Sequence, residues 1–172
     1  KLTMSLKPKV SSADHILGNG QADLTIVEYG DYQCPHCGKA HPVIKEMMTE
    51  LGSQIRFVFR NFPLSEMHPY AKSAALAAEA AAIQGKFWEM HDAIFENQNS
   101  LNDQWLLDMA QQLELDMDKF RSDLNDESIV DRVEGDFESG MMSGVNGTPT
   151  FFVNGQKFDG GAEDLVHVLR EQ

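Results

Sequence analysis

Both cysteines of the 172-residue chain fall in one short stretch, Cys34-Pro35-His36-Cys37. Two thiols at that spacing can close a disulfide or ligate a metal, and the flanking sequence bears on which. Upstream, Leu24 to Tyr29 is a nearly continuous apolar run, and downstream Pro35 to Leu51 has helical periodicity. A strand running into a helix is the setting a Cys-x-x-Cys redox pair requires. Pro35 fits the first helical position, where the missing N–H would have had no partner. Cys34 is then the N-cap, with its sulfur facing unpaired backbone amides and the positive end of the helix, which favours a thiolate. A protonated His36 adds a second positive charge. Such surroundings bring a cysteine pKa from about 8.5 into the range of roughly 3.5 to 7.5. Cys34 is therefore expected to be the attacking thiolate. Cys37, one turn deeper, is expected to stay protonated and to resolve the mixed disulfide.

The same spacing also supplies half of a zinc site. Closing it would take two further ligands, with His36, His41 or a distant histidine as the nitrogen donors and no second cysteine pair to help. The rival reading is thus a metal-binding module using Cys34, Cys37 and His41. A static disulfide across so small a loop would contribute little stability.

Cys34-Pro35-His36-Cys37 resembles the active site of the DsbA family of thiol-disulfide oxidoreductases, within the thioredoxin superfamily, and the resemblance runs from about Asp23 to the C-terminus. A distant segment, Val145-Asn146-Gly147-Thr148-Pro149-Thr150-Phe151-Phe152-Val153-Asn154-Gly155, resembles the cis-proline segment that faces the redox motif in that superfamily. The resemblance implies an α/β thioredoxin fold with an inserted all-helical subdomain. It implies an enzyme that exchanges the Cys34-Cys37 disulfide with cysteines of protein substrates, first as an oxidase that donates the disulfide. No cofactor is implied beyond that redox-active pair. A redox partner that recycles the pair is implied, as is an exported, periplasmic location, with the cytoplasm as the alternative. Cys34, Cys37, His36 and Glu28 are the implied catalytic residues, and Pro35, Thr148 and Pro149 the implied substrate-binding ones. Thr148-Pro149 is expected to be cis, with the Thr148 backbone free to pair with an extended peptide. The DsbA enzyme itself has valine before that proline. Threonine there resembles disulfide isomerases and reductases, so these remain the alternative activities.

Glu28 is the one charged side chain in Leu24 to Tyr29 and stands six residues before Cys34. A carboxylate inside an apolar strand is a local conflict of the kind that marks functional positions. Similar DsbA-like proteins carry a buried acid at this place. Burial raises a carboxyl pKa and would let Glu28 exchange a proton with Cys37. The competing reading is an edge-strand glutamate that points to solvent.

These residues need elements to hold them. The active-site helix continues through Val43, Met47 and Leu51 to Gly52, with Pro42 expected to kink it. Ile55 to Phe62 alternates as a strand, which makes a right-handed parallel crossover. After Pro63 the periodicity is helical throughout. The expected helices run from Pro69 to Gln84, then around Phe87–Phe95, Trp105–Leu113, a short one capped by Asp116, and Ile129–Met141. His91 on an apolar face reads as a hydrogen-bonded core histidine, and the methionines of this region as packing. Thr150 to Val153 is a strand, Asn154-Gly155 a hairpin turn into Gln156 to Phe158, and Leu165, Val168 and Leu169 mark a last helix. The expected divisions are 1–13 as an N-terminal arm or linker, 14–65 and 144–172 as the two parts of the thioredoxin fold, and 66–143 as the helical insert.

Composition narrows the partners. The net charge is −13, and 15 acidic against three basic residues between Glu89 and Glu138 account for nearly all of it. That excess reads as a solvated helical face, and it argues against nucleic acid or anionic lipid as partners, both of which need basic patches. The apolar run Ala74 to Ile83 is short and broken by Glu79, so no membrane insertion is expected. The chain opens without methionine or a hydrophobic signal core, as expected if an export signal has been removed.

Overall fold

The computed structural model describes residues 4–171. A mixed five-stranded sheet forms the centre, from β1 (His15–Gly18), β2 (Leu24–Gly30), β3 (Ile55–Asn61), β4 (Thr150–Val153) and β5 (Gln156–Lys157), in the order β1-β3-β2-β4-β5. Helix α1 (Pro35–Leu51) joins β2 to β3, and these two strands are parallel, in register Ile26 with Phe57 and Glu28 with Phe59. Parallel neighbours need such a crossover, whereas the β4–β5 pair is antiparallel and turns at Asn154-Gly155, both with positive φ. Between β3 and β4 lie α2 (Ala71–Ile83), α3 (Phe87–Phe95), a 3₁₀ turn (Gln98–Ser100), α4 (Asp103–Gln112), α5 (Met117–Leu124) and α6 (Glu127–Met142), and α7 (Ala162–Arg170) closes the chain. This is the α/β thioredoxin-like sheet with a helical insert between strands. Among the described residues no helix is long and apolar enough to cross a membrane.

Because side chains alternate along a strand, β2 feeds two cores. Ile26 and its neighbours Phe57, Phe59 and Phe151 join Ile44 and Met47 of α1 and Met90 and Ile94 of α3 in the larger one. Val27, Tyr29, Val58 and Phe152 join Leu6, Phe62 and Val145 on the other face. Glu28 therefore shares the face of Ile26, toward the larger core, and pairs in register with Phe59 on one side and Phe151 on the other. It does not lie on an edge strand, because β2 is central.

Two regions were not legible as structure. β1, four residues long, pairs antiparallel with β3 at the sheet edge. The expected arm is docked over its described part: Leu6 is buried, its N–H donates to the Gly155 carbonyl (2.8 Å), and the Lys157 N–H donates to the Met4 carbonyl (2.9 Å). Arg60, on β3 and buried, binds Asp14 through Nε at 2.8 Å and Nη2 at 3.0 Å. The helix starts follow capping chemistry where the sequence offers it: Asn102, Asp116 and Asp126 each accept a backbone N–H of the first turn. The methionines divide, Met90 being fully buried while Met67, Met141 and Met142 stand exposed at the ends of the insert.

Candidate active site

Cys34 occupies the N-cap of α1 in an extended conformation (φ −67°, ψ 124°), with Pro35 at the first helical position. The backbone amides of His36 and Cys37 face its sulfur without closing a full cap bond. Cys34 is more covered than an open nucleophile would be, at 4% exposure, and Cys37 has none. The difference in burial has chemical consequences. Hydrogen bonding from the Cys37 thiol is the largest influence on Cys34, and with the Thr148 hydroxyl and the two amides it outweighs burial and brings the Cys34 pKa down to about 5. Cys37 moves the other way: burial, the bond to Cys34 and the charge of Glu28 hold it far above the ordinary thiol range. At neutral pH the reduced pair is one thiolate and one thiol.

The Thr148-Pro149 peptide bond is cis. The Thr148 carbonyl stands 3.7 Å from Cys34 Sγ, and the buried Thr148 hydroxyl favours the Cys34 thiolate without closing a full hydrogen bond among the described residues. An open cavity beside them is lined by His36, Lys39, Val43, Thr148, Pro149 and Gly161, among others. The His36 side chain is exposed at its rim, and the part of His36 that acts on Cys34 is the backbone amide. Glu28 is 4% exposed, and burial, then the Cys34 thiolate, push its carboxyl pKa up to about 8. No side-chain hydrogen bond reaches it from the described residues, so nothing offsets the burial.

His41 is not brought to the sulfurs. Its Nε2 lies 3.0 Å from Glu96 Oε2, on the face between α1 and α3, where one donor atom each of His41, His91 and Asp92 gathers within 4.8 Å. Lys45 Nζ already supplies a positive charge there, 3.2 Å from Asp92 and 3.4 Å from Glu96. His91 itself is a core histidine bonded through Nδ1 to the Tyr32 hydroxyl at 2.8 Å, and burial holds its pKa well below the usual value.

Two further residues hold the motif. Asp31, fully buried, caps the Gln33 N–H with Oδ1 (2.8 Å) and with Oδ2 accepts from the Leu64 N–H (2.9 Å) and meets His68 Nδ1 (2.8 Å). Its own N–H points at Cys37 Sγ, 3.5 Å away. The turn-forming Gly30-Asp31 pair could have signalled that role. Gln98, from the 3₁₀ turn, donates through Nε2 to the carbonyls of Tyr32 (2.8 Å) and Cys34 (2.9 Å). No periodicity or motif marks Gln98, because its partners lie more than 60 residues away.

The class follows from comparison once this geometry is in view. A family model described as thioredoxin matches residues 10–169, and the chain belongs to that family. Within it, the chain has the DsbA-like fold and carries a Cys-x-x-Cys pair. It is similar to a thioredoxin-like oxidoreductase from Silicibacter pomeroyi at 26% identity and TM-score 0.78, covering 94% of this chain and 95% of that one. DsbA2 from Pseudomonas aeruginosa matches at 26% identity and TM-score 0.75, with 94% of each chain covered. Oxidised BdbD from Bacillus subtilis, at 23% identity, shares the fold over 100% of both chains with TM-score 0.80. A curated relative, Na(+)/H(+) antiporter NhaA 1 of Salinispora arenicola, is 48% identical over 147 residues, which are 86% of this chain and 22% of the antiporter. The chain thus spans about a fifth of that relative's length.

Proposed function

We propose that the Cys34-Cys37 pair works as an oxidase, donating its disulfide to dithiols of protein substrates. The observation that carries this reading is the opposed state of the two sulfurs, with Cys34 stabilised as a thiolate and Cys37 held as a thiol. Stabilising the reduced form makes the disulfide easier to reduce and so a stronger oxidant. A substrate thiolate attacks Cys34 Sγ, the Cys34–Cys37 bond breaks, and Cys37 leaves and is protonated, with Glu28 as the proton source beneath it. A second substrate thiolate then attacks the substrate sulfur of the mixed disulfide, and Cys34 leaves as a thiolate. Two electrons pass from the substrate to the pair.

The Thr148-Pro149 segment borders the cavity in which an extended peptide would lie, with the Thr148 backbone as its pairing edge and His36 at the rim, and Pro35 precedes His36 at the head of α1. A reductase or isomerase is the second reading, favoured by threonine before Pro149. Against it, the Thr148 hydroxyl is among the groups that lower the Cys34 pKa. Donation of disulfides requires a compartment where thiols are not kept reduced, so the reading assigns the domain to an exported, periplasmic setting, together with a partner that reoxidises the pair. Relatives named for a membrane antiporter are consistent with that setting. Equilibration with glutathione tests the direction: a potential near about −120 mV supports the donor, and one near about −270 mV supports the reductase.

A further inference from the structure

The side chain of Gln98 reaches out of the helical insert to the loop that carries the attacking sulfur, and the geometry there is specific. Nε2 donates to two carbonyls, those of Tyr32 and Cys34, at 2.8 and 2.9 Å. The Cys34 carbonyl also accepts the Gly38 N–H at 3.0 Å, the first bond of α1. Both lone pairs of that oxygen are thereby used, one by the helix and one by the insert. On its other side the amide lies over Gly38, where a Cβ would overlap Gln98 Oε1. Gly38 has no positive φ, so its want of a side chain answers to this close approach and not to backbone conformation.

We propose that Gln98 is a positioning residue for the exchange reaction, through which the helical insert fixes the Cys34 cap conformation and so the stability of its thiolate. The His36 and Cys37 amides act on the sulfur only while the Cys34 backbone keeps its extended angles at the head of α1. A carbonyl bonded from both sides cannot swing, and the amides stay aimed. Without Gln98 the Cys34 carbonyl keeps its bond to the helix but loses its tie to the insert.

The inference rests on the redox reading above, and its test separates the two. In the parent protein the Cys34 thiolate is titrated by absorbance near 240 nm, and the pair is equilibrated with glutathione. A parent Cys34 pKa in the ordinary thiol range would defeat the redox reading itself. Gln98→Met keeps the length and volume of the side chain and removes both donors. Its expected effect is a rise of about one unit in the Cys34 pKa and a shift of about tenfold in the glutathione equilibrium toward the disulfide. A merely structural role would lower thermal stability and leave both readouts in place, and that result overturns the proposal. Gly38→Ala provides an independent check if the first variant fails to fold. It leaves Gln98 in the chain but pushes its amide off the carbonyls, so the pKa must rise in the same direction, and adding Gln98→Ala must relieve the clash. A Gly38→Ala protein with the parent pKa and potential overturns the proposal as well.

Discussion

Cys34 and Cys37 are identical in chemistry, and one helical turn makes one a thiolate and the other a thiol. Their placement by strand, proline and helix start was legible because every cause lies within a few residues of the motif. The state of Cys34 has a consequence for stability. Its folded pKa, about 5, lies below the unfolded value of about 8.5. The group therefore stabilises the reduced fold fully above the unfolded value, and that contribution is lost as pH falls through the folded one. Denaturant titrations of the reduced and oxidised forms are expected to show an advantage of the reduced form that is present at pH 8 and gone by pH 4. An advantage constant over that range would contradict the assignment. Glu28 has the opposite sign. Burial raises its carboxyl pKa to about 8, so it costs stability increasingly as pH rises through its unfolded value, with the full cost above about 8. Glu28→Gln is expected to stabilise the protein at pH 7 by on the order of 2 kcal/mol and to slow disulfide exchange where Cys37 must take or lose its proton. Exchange at the parent rate across the pH range would make Glu28 a bystander in catalysis.

At the scale of elements, the motif is held from below by β2 and from the side by the loop after β3, through Asp31. Its carboxylate joins the nearby Gln33 amide to the Leu64 amide and His68, which lie more than 30 positions further along the chain. Asp31→Ala is expected to cost about 2 to 4 kcal/mol in denaturant unfolding, since it strands buried amides. His68→Ala, which leaves both amides satisfied, is expected to cost less. Equal losses from the two variants would place the energy in the His68 contact. Neither this knot nor Gln98 could be read in advance, because periodicity reports which face a side chain takes and not which distant atom it meets. The helices of the insert were legible from their apolar spacing and from Asp116 as a cap. β1 was not, because four residues paired at a sheet edge carry too little pattern to separate from a turn.

Across the whole molecule, buried charge ties the parts together. Glu79 of α2 binds His15 of β1 at 2.9 Å and Asn61 of β3 at 2.8 Å, and Asn61 in turn binds Asp136 of α6 at 2.9 Å. Asp14 and Arg60 pin the segment before β1 to the other side of the sheet, and Arg60 Nη1 also donates to the Tyr29 hydroxyl at 2.9 Å. Burial would raise the Asp14 pKa, but the Arg60 bonds outweigh it and the net shift is downward. Asp14→Ala leaves a buried guanidinium without its carboxylate and is expected to cost about 3 to 5 kcal/mol, read as a lower denaturation midpoint. A loss below about 1 kcal/mol, the worth of an exposed pair, would show that water reaches Arg60. All of this scaffolding serves one chemical outcome, a single thiolate at the head of α1. The most direct test is the thiolate absorbance of the reduced protein near 240 nm between pH 3 and pH 9. The account predicts one transition near pH 5, abolished by Cys34→Ser and kept in Cys37→Ser at a higher pH, because the Cys37 thiol is its strongest support. A transition near pH 8.5, or one that disappears with Cys37 instead, would contradict it.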